Sequence, residues 1–138
     1  MKIVLVLMMT WLTENFDLPV IHVEPNIKFA TQQEMAATRY NGVVQNSAGQ
    51  FVGLYEDRSK TIVLSDDWTG DTPAELSVLV HELVHHIQNV AKLTYFCPEA
   101  REAVAYAAQE KWLSLFGQSL ATAFELDPLT LKVRTSCM

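Results

Sequence analysis

The chain has few basic residues and no long apolar run, and both shortages limit its possible functions. Of its 138 residues, ten are Lys or Arg and sixteen are Asp or Glu, which gives a formal net charge of −6. The basic residues are scattered, so no positive stripe is available for a phosphate backbone and nucleic acid is not an expected partner. The apolar run at residues 3–9 is too short to cross a bilayer, so no stable membrane span is expected.

Cysteine is also scarce, because the chain contains only Cys97 and Cys137. Neither belongs to a CxxC pair and their spacing is not that of a zinc knuckle, so metal binding through cysteine is not expected. The two residues can form a disulfide in an oxidising compartment or remain free thiols in the cytoplasm. The sequence leaves cytoplasmic and exported locations open, and pairing of the cysteines would favour export.

Low-complexity tracts and internal repeats are absent too. With 49% hydrophobic and 19% charged residues, the composition is that of a globular protein, and residues 1–138 are expected to form a single domain. Lys2 and the apolar residues after it resemble the start of an export signal, but no small-x-small cleavage site follows. We therefore interpret residues 2–15 as the first helix, with a signal remnant as the alternative.

Strand-like segments come before the strongest helix starts of the chain. Thr31 and Glu34 form a capping box that opens a short helix to residue 40, after which Asn41 and Gly42 allow the chain to turn. Residues 41–50 are expected to be loop. Strands are predicted within residues 20–30 and, as an antiparallel hairpin, at residues 51–57 and 60–66.

Two longer helices follow the hairpin. Residues 72–75, Thr-Pro-Ala-Glu, combine a cap with proline at the first helical position, and this helix is expected to run to about residue 93. A second helix starts at Pro98 and should lie antiparallel to the first. The tail is expected to contain a short helix before Asp127, followed by a strand or extended strap at residues 129–135.

The first long helix contains the motif HExxH, written here as His81-Glu82-Leu83-Val84-His85. Apolar residues form one stripe of this helix, while His81 and His85 project from another face in successive turns and can bind one ion together. Neutral imidazole suits Zn²⁺, which needs a third protein ligand and leaves a position for water that Glu82 can address. The alternative is that the histidines are ordinary core or surface residues.

Two neighbours in the motif helix are not expected to bind the ion. His86 is rotated by about 100° from His85, so it cannot join the same site without bending the helix. It is expected to support the site, face a substrate or simply be exposed. Gln88 lies close to His81 on the helical wheel, but a solvated glutamine is the expected outcome.

The third ligand is expected on the second long helix. Glu102, Tyr106, Gln109 and Leu113 share one face of this helix, and Glu99 lies one turn earlier, so two glutamates compete for the role. The alanines between them are small enough for a close approach to the motif helix. These acidic residues could instead merely complement the helix dipole.

HExxH followed by a glutamate on the next helix resembles the gluzincin metallopeptidases. Residues 102–106, EAVAY, are similar to the Glu-x-x-Ala pattern found in gluzincins such as the ImmA/IrrE-type proteases. The resemblance implies an α+β, zincin-like fold, in which a small antiparallel or mixed sheet packs on the HExxH helix and the glutamate-bearing helix. It also makes Glu102 the third zinc ligand. Many gluzincins have an aspartate where this chain has Tyr106. The Tyr106 hydroxyl could orient His81 or stabilise an oxyanion.

The resemblance further implies a zinc-dependent metallopeptidase that acts on a peptide or protein substrate. Glu82 would be the general base for a zinc-activated water. In zincins an edge strand beside the motif helix holds the substrate, and residues 60–66 are the candidate strand. The alternative is a zinc-binding regulatory or interaction module without peptidase turnover. The sequence does not indicate an oligomeric state.

Overall fold

A computed structural model describes residues 1–38 and 43–138 and shows an α+β architecture. Within these residues, a mixed sheet of four strands packs with six helices. The elements are α1 (Lys2–Phe16), β1 (Asn26–Ala30), α2 (Gln32–Ala37), β2 (Val44–Gln45), β3 (Phe51–Glu56), β4 (Thr61–Ser65), α3 (Pro73–Val90), α4 (Pro98–Ser114), α5 (Leu120–Ala123) and α6 (Pro128–Thr135). None of the helices described is both long and apolar enough to cross a bilayer.

The strands follow the order β1-β4-β3-β2. The antiparallel hairpin of β3 and β4 is present as predicted, with Gly53 opposite Leu64. Strand β1 pairs with β4 in parallel, and β2 pairs antiparallel with β3. Strands β1 and β2 are therefore the edges of the described sheet, and β3 and β4 form its interior.

This strand order contradicts two expectations. Residues 60–66 were expected to form an edge strand for substrate, but β4 is paired on both sides, so its backbone groups cannot accept another strand. Residues 41–50 were expected to be loop, but Val44 and Gln45 pair with β3. The end of the predicted helix at residue 40 and the turn at Asn41 and Gly42 lie outside the described residues.

Helix α3 is the centre of the fold. Thr72 caps it by accepting a hydrogen bond from the backbone N–H of Glu75, and every residue from 77 to 88 is buried. The helix contacts β3 and β4, α1 and α4, so both its apolar stripe and its histidine face are covered. It ends at Val90, slightly before the predicted end. As expected, residues near the N-terminus form a helix of the core, and α1 contributes Leu5, Met8 and Leu12 to it.

The C-terminal tail differs from the prediction. Residues 129–135 were expected to be a strand or a strap, but they form most of helix α6. The Asp127 carboxylate accepts a hydrogen bond from the Thr130 backbone N–H at 2.8 Å, and Pro128 occupies the first turn. This is the same kind of helix start as at residues 72–75. Helix α6 contacts α4, and beyond it Cys137 forms a disulfide with Cys97, the N-cap of α4, with a Cα–Cα distance of 5.8 Å.

Candidate metal centre

The three residues expected to bind a metal ion lie together between α3 and α4. Nε2 of His81 lies 2.9 Å from Oε1 of Glu102, and Nε2 of His85 lies 3.0 Å from the same oxygen. Their ligand atoms all lie within 4.8 Å of one another, so the group could hold a metal ion. The rival glutamate, Glu99, does not belong to this group.

The local sequence explains why these side chains meet. His81 and His85 occupy successive turns of α3, and the antiparallel helix α4 places Glu102 opposite both. Ala105 and Ala108 of α4 are fully buried, which allows the close approach predicted from the alanines of this helix. The two histidine side chains are fully buried, while the Glu102 side chain keeps 19% of its surface exposed.

Two glutamines fix the orientation of the imidazole rings. Nδ1 of His81 lies 2.9 Å from Oε1 of Gln109, and Nδ1 of His85 lies 2.8 Å from Oε1 of Gln88. An amide oxygen can only accept, so each Nδ1 carries the proton and each Nε2 presents its lone pair to Glu102. Two lone pairs and a carboxylate oxygen at these distances repel one another unless a cation or a shared proton lies between them.

The glutamine amides are themselves held in place. Nε2 of Gln109 donates to Oγ of Ser77 at 3.2 Å, and Nε2 of Gln88 donates to the Arg101 carbonyl oxygen at 3.0 Å. The Arg101 guanidinium also donates to Oε1 of Gln88 at 3.1 Å and forms a two-pronged ion pair with Asp57. The orientation of the ring of His85 therefore depends on a network that reaches back to the end of β3.

The roles of Gln88 and Gln109 were not expected from the sequence. Gln88 was expected to be solvated, but it is only 2% exposed because the start of α4 covers it. The sequence placed Gln109 on the same helix face as Glu102, and this shared face was the available signal that Gln109 lies near the metal ligands. One role considered for Tyr106 was to orient His81, but Gln109 does so by accepting the hydrogen bond from Nδ1 of His81. The Tyr106 ring instead packs edge-on against His81, with ring centroids 4.7 Å apart, and its hydroxyl accepts a hydrogen bond from Arg134.

His86 has a structural position outside the metal group. Its Nδ1 lies 2.8 Å from the Tyr55 hydroxyl oxygen, and its Nε2 lies 2.7 Å from the Val23 carbonyl oxygen. Burial lowers the pKa of this imidazole, against the hydrogen bond to Val23. The side chain therefore joins α3 to β3 and to the segment before β1, and the expectation of an exposed or substrate-facing residue was wrong.

Glu82 is a buried acidic residue of the core whose carboxylate is not hydrogen-bonded to any residue that the structure describes. It is fully buried, and neither of its carboxylate oxygens has a hydrogen-bond partner among the described residues. Burial raises the pKa of Glu82 well above its usual value, the charge of Glu102 adds to the rise, and Arg101 opposes it. A buried carboxyl group without hydrogen-bond partners is costly in either protonation state.

Glycine at position 53 makes room for this carboxylate. A Cβ atom at Gly53 would lie 2.6 Å from Cγ1 of Val78 and 3.2 Å from Oε2 of Glu82. A side chain there would require the Val78 side chain or the backbone of α3 or β3 to move. Strand β3 and helix α3 therefore lie close together at Gly53.

Comparison with known proteins adds a family but no activity. No curated protein and no solved structure matches this chain at a significant level. The family model DUF6647, described as a domain of unknown function, matches residues 1–138. The chain therefore belongs to the DUF6647 family.

Proposed function

We propose that this protein is a zinc-dependent peptidase with a zincin-like fold. The observation that carries the proposal is the buried Glu82 carboxylate, which has no hydrogen-bond partner within residues 1–38 and 43–138 and follows His81 directly in the chain. Two imidazoles and one carboxylate are a typical donor set for catalytic zinc, which keeps a fourth position open. A purely structural zinc site is usually closed by four protein ligands and has no use for such a carboxylate.

The residues of the site have distinct roles in this proposal. His81, His85 and Glu102 would hold the ion through the atoms that already converge, while Gln109 and Gln88 keep the imidazole rings oriented. Bound zinc would supply Lewis acidity, which makes a water more acidic and polarises the carbonyl of the scissile bond. Glu82 accepts a proton from the attacking water at its carboxylate and passes it to the leaving amine.

Strand β2 is the better candidate for holding the substrate. It is an edge of the described sheet, and Val44 of β2 lies opposite Gly53, where an added Cβ atom would lie 3.2 Å from Oε2 of Glu82. Strand addition needs exposed backbone groups at an edge, which β4 lacks. Val44 and Gln45 of β2 line one cavity together with Tyr106 and Gln109, whose side chains contact His81.

The decisive test is the variant Glu82→Gln. It should retain one equivalent of zinc in a metal analysis, because Glu82 is not among the converging ligand atoms. Removal of a general base costs about 10²- to 10⁴-fold in rate, so hydrolysis of a quenched fluorescent peptide library should fall by that factor.

The matched control is Glu99→Gln, which changes a partly exposed glutamate of α4 outside the metal group and should alter neither zinc content nor rate. Purified wild-type protein without zinc, or a Glu82→Gln variant that cleaves as fast as the parent, would contradict the proposal.

The alternative is a zinc-binding regulatory or interaction module without turnover. Among the three converging residues only Glu102 is exposed, with 19% of its side-chain surface, so access to the centre is narrow. One equivalent of bound zinc with no cleavage of any library member would favour this module over the peptidase.

The disulfide supports an exported location for the protein. The structure joins Cys97 to Cys137, and disulfides persist in oxidising compartments such as the periplasm or the extracellular space. The alternative expected from the sequence, a cytoplasmic protein with two free thiols, is less favoured.

A further inference from the structure

A cavity of about 260 Å³ lies beside the metal centre. Strand β2 contributes one side of it, and α4 and the C-terminal helices contribute the other. Tyr106 and Gln109 form the wall that faces the metal group. The Tyr106 ring packs against the His81 ring, and the Gln109 amide oxygen accepts a hydrogen bond from Nδ1 of His81. One layer of side chains therefore separates the cavity from the metal ligands.

The size of the cavity suits part of a peptide rather than a cofactor. Sites for drug-sized ligands usually begin at about 300 Å³, so this cavity fits a single side chain or a terminal residue. Val44 and Gln45 line the cavity, and they belong to β2, the edge strand beside which the proposed substrate strand would lie. A residue of that strand could extend a side chain into the cavity.

Two groups in the cavity, the Arg134 guanidinium and the Tyr106 hydroxyl, have N–H or O–H donors without an acceptor among the described residues. Nη1 of Arg134 donates to the Tyr106 hydroxyl oxygen at 3.3 Å. Within residues 1–38 and 43–138, the guanidinium forms no other hydrogen bond. Arg134 has no ion-pair partner in the same part of the chain. The Tyr106 hydroxyl accepts from Arg134, and its own proton has no acceptor among the described residues.

The acidic side chains that line the cavity do not neutralise Arg134. Both carboxylate oxygens of Asp127 are taken by the backbone N–H and the hydroxyl of Thr130, each at 2.8 Å. Glu125 is exposed and forms no ion pair with Arg134. These two carboxylates disfavour a doubly charged phosphate ligand, whereas a singly charged carboxylate meets less repulsion.

We propose that this cavity is a substrate subsite that binds a carboxylate of the peptide through Arg134 and the Tyr106 hydroxyl. The guanidinium fork matches a carboxylate in geometry and charge, and the hydroxyl provides one further donor. The inference rests on the proposed peptidase function and deepens it. The carboxylate belongs either to a Glu or Asp side chain of the substrate or to its C-terminus.

The test measures binding separately from turnover. The probes are acetylated alanine pentapeptides that carry one Glu at each position in turn, with an amidated C-terminus. Gln replaces Glu in the matched set, and a third set carries Gln with a free C-terminal carboxylate. Calorimetric titration of each peptide into the zinc-loaded Glu82→Gln variant gives the dissociation constants.

One of the carboxylate sets should bind about ten- to a hundredfold more tightly than the amidated Gln peptides, since charge-assisted hydrogen bonds contribute at that level. Which set binds tightly distinguishes an acidic side chain from the C-terminus. In the Glu82→Gln background, Arg134→Gln should abolish the preference, and Arg134→Glu should reverse it, so that the amidated Gln peptides bind more tightly than the carboxylate sets. Tyr106→Phe should reduce it in part while retaining the aromatic ring.

The matched control is Lys132→Gln, which removes an exposed charge of α6 that does not line the cavity. It should leave the preference unchanged. Equal binding of all three peptide sets, or a preference that survives Arg134→Gln, would overturn the subsite.

The outcome is separable from that of the proposed function. Wild-type protein that cleaves peptides without any carboxylate preference would refute the subsite and leave the peptidase standing. Selective binding of carboxylate peptides without cleavage by the wild type would support the subsite and refute the peptidase.

Discussion

Replacing Gln109 by leucine should weaken metal binding without removing a ligand. The substitution keeps the size of the side chain but removes the acceptor at Nδ1 of His81, and His81 is fully buried, so bulk water cannot take its place. The imidazole can then carry its proton on Nε2, the atom that faces Glu102. Loss of such a partner typically costs about 10- to 100-fold in metal affinity, equivalent to about 1.4 to 2.7 kcal/mol.

The same substitution should destabilise the metal-free protein. In either tautomer the buried Nδ1 atom is left without a hydrogen-bond partner, which costs about 1 to 3 kcal/mol of unfolding free energy. Ser77 should add little, because its hydroxyl still donates to the Ala74 carbonyl oxygen at 2.6 Å. Denaturant titration measures the unfolding free energy, and competition with a chromophoric chelator measures zinc affinity.

Two further variants make the test specific. Gln109→Glu keeps an acceptor at the same place and should retain most of the zinc affinity that Gln109→Leu loses. Gln33→Leu changes an exposed glutamine of α2 and should affect neither quantity. If Gln109→Leu binds zinc as tightly as the parent, or if Gln109→Glu binds as weakly as Gln109→Leu, the orienting role of Gln109 is refuted.

Two other perturbations test the packing and the covalent link. Gly53→Ala should lower the unfolding free energy by about 1 to 3 kcal/mol, because its Cβ would lie 2.6 Å from Cγ1 of Val78. Unchanged stability in denaturant would contradict the close approach of β3 to α3. Protein isolated under alkylating conditions should contain no free thiol, and reduction of Cys97–Cys137, separated by 40 residues, should lower the unfolding free energy by roughly 4 kcal/mol. Titratable thiols, or equal denaturation midpoints before and after reduction, would argue against that bridge.

The sequence predicts those parts of the fold that depend on neighbouring residues. The start of α3 follows from the Thr72 cap and Pro73, and the hairpin of β3 and β4 follows from two strand-like runs close in sequence. The pairing of His81 and His85 follows from helical geometry alone. All three signals lie within a few residues of the feature they predict.

The parts that were missed depend on distant contacts. The parallel pairing of β1 with β4 determines which strands are edges, and no local pattern encodes it. The orienting roles of Gln88 and Gln109 exist only because α3 and α4 pack together. The tail is a different case, since Asp127 and Pro128 carried a helix-start signal that was interpreted only as the end of the preceding helix.

In the proposed peptidase, helix α6 separates selectivity from chemistry. The metal group and Glu82 lie on α3 and α4, whereas α6 has no buried residue and contributes Arg134 from the surface. Exchanges at exposed positions usually change stability by no more than about 0.5 kcal/mol. If the proposed subsite binds the peptide carboxylate, the C-terminal helix is the place to redesign which peptides bind, because its sequence can vary while His81, His85, Glu102 and Glu82 stay the same.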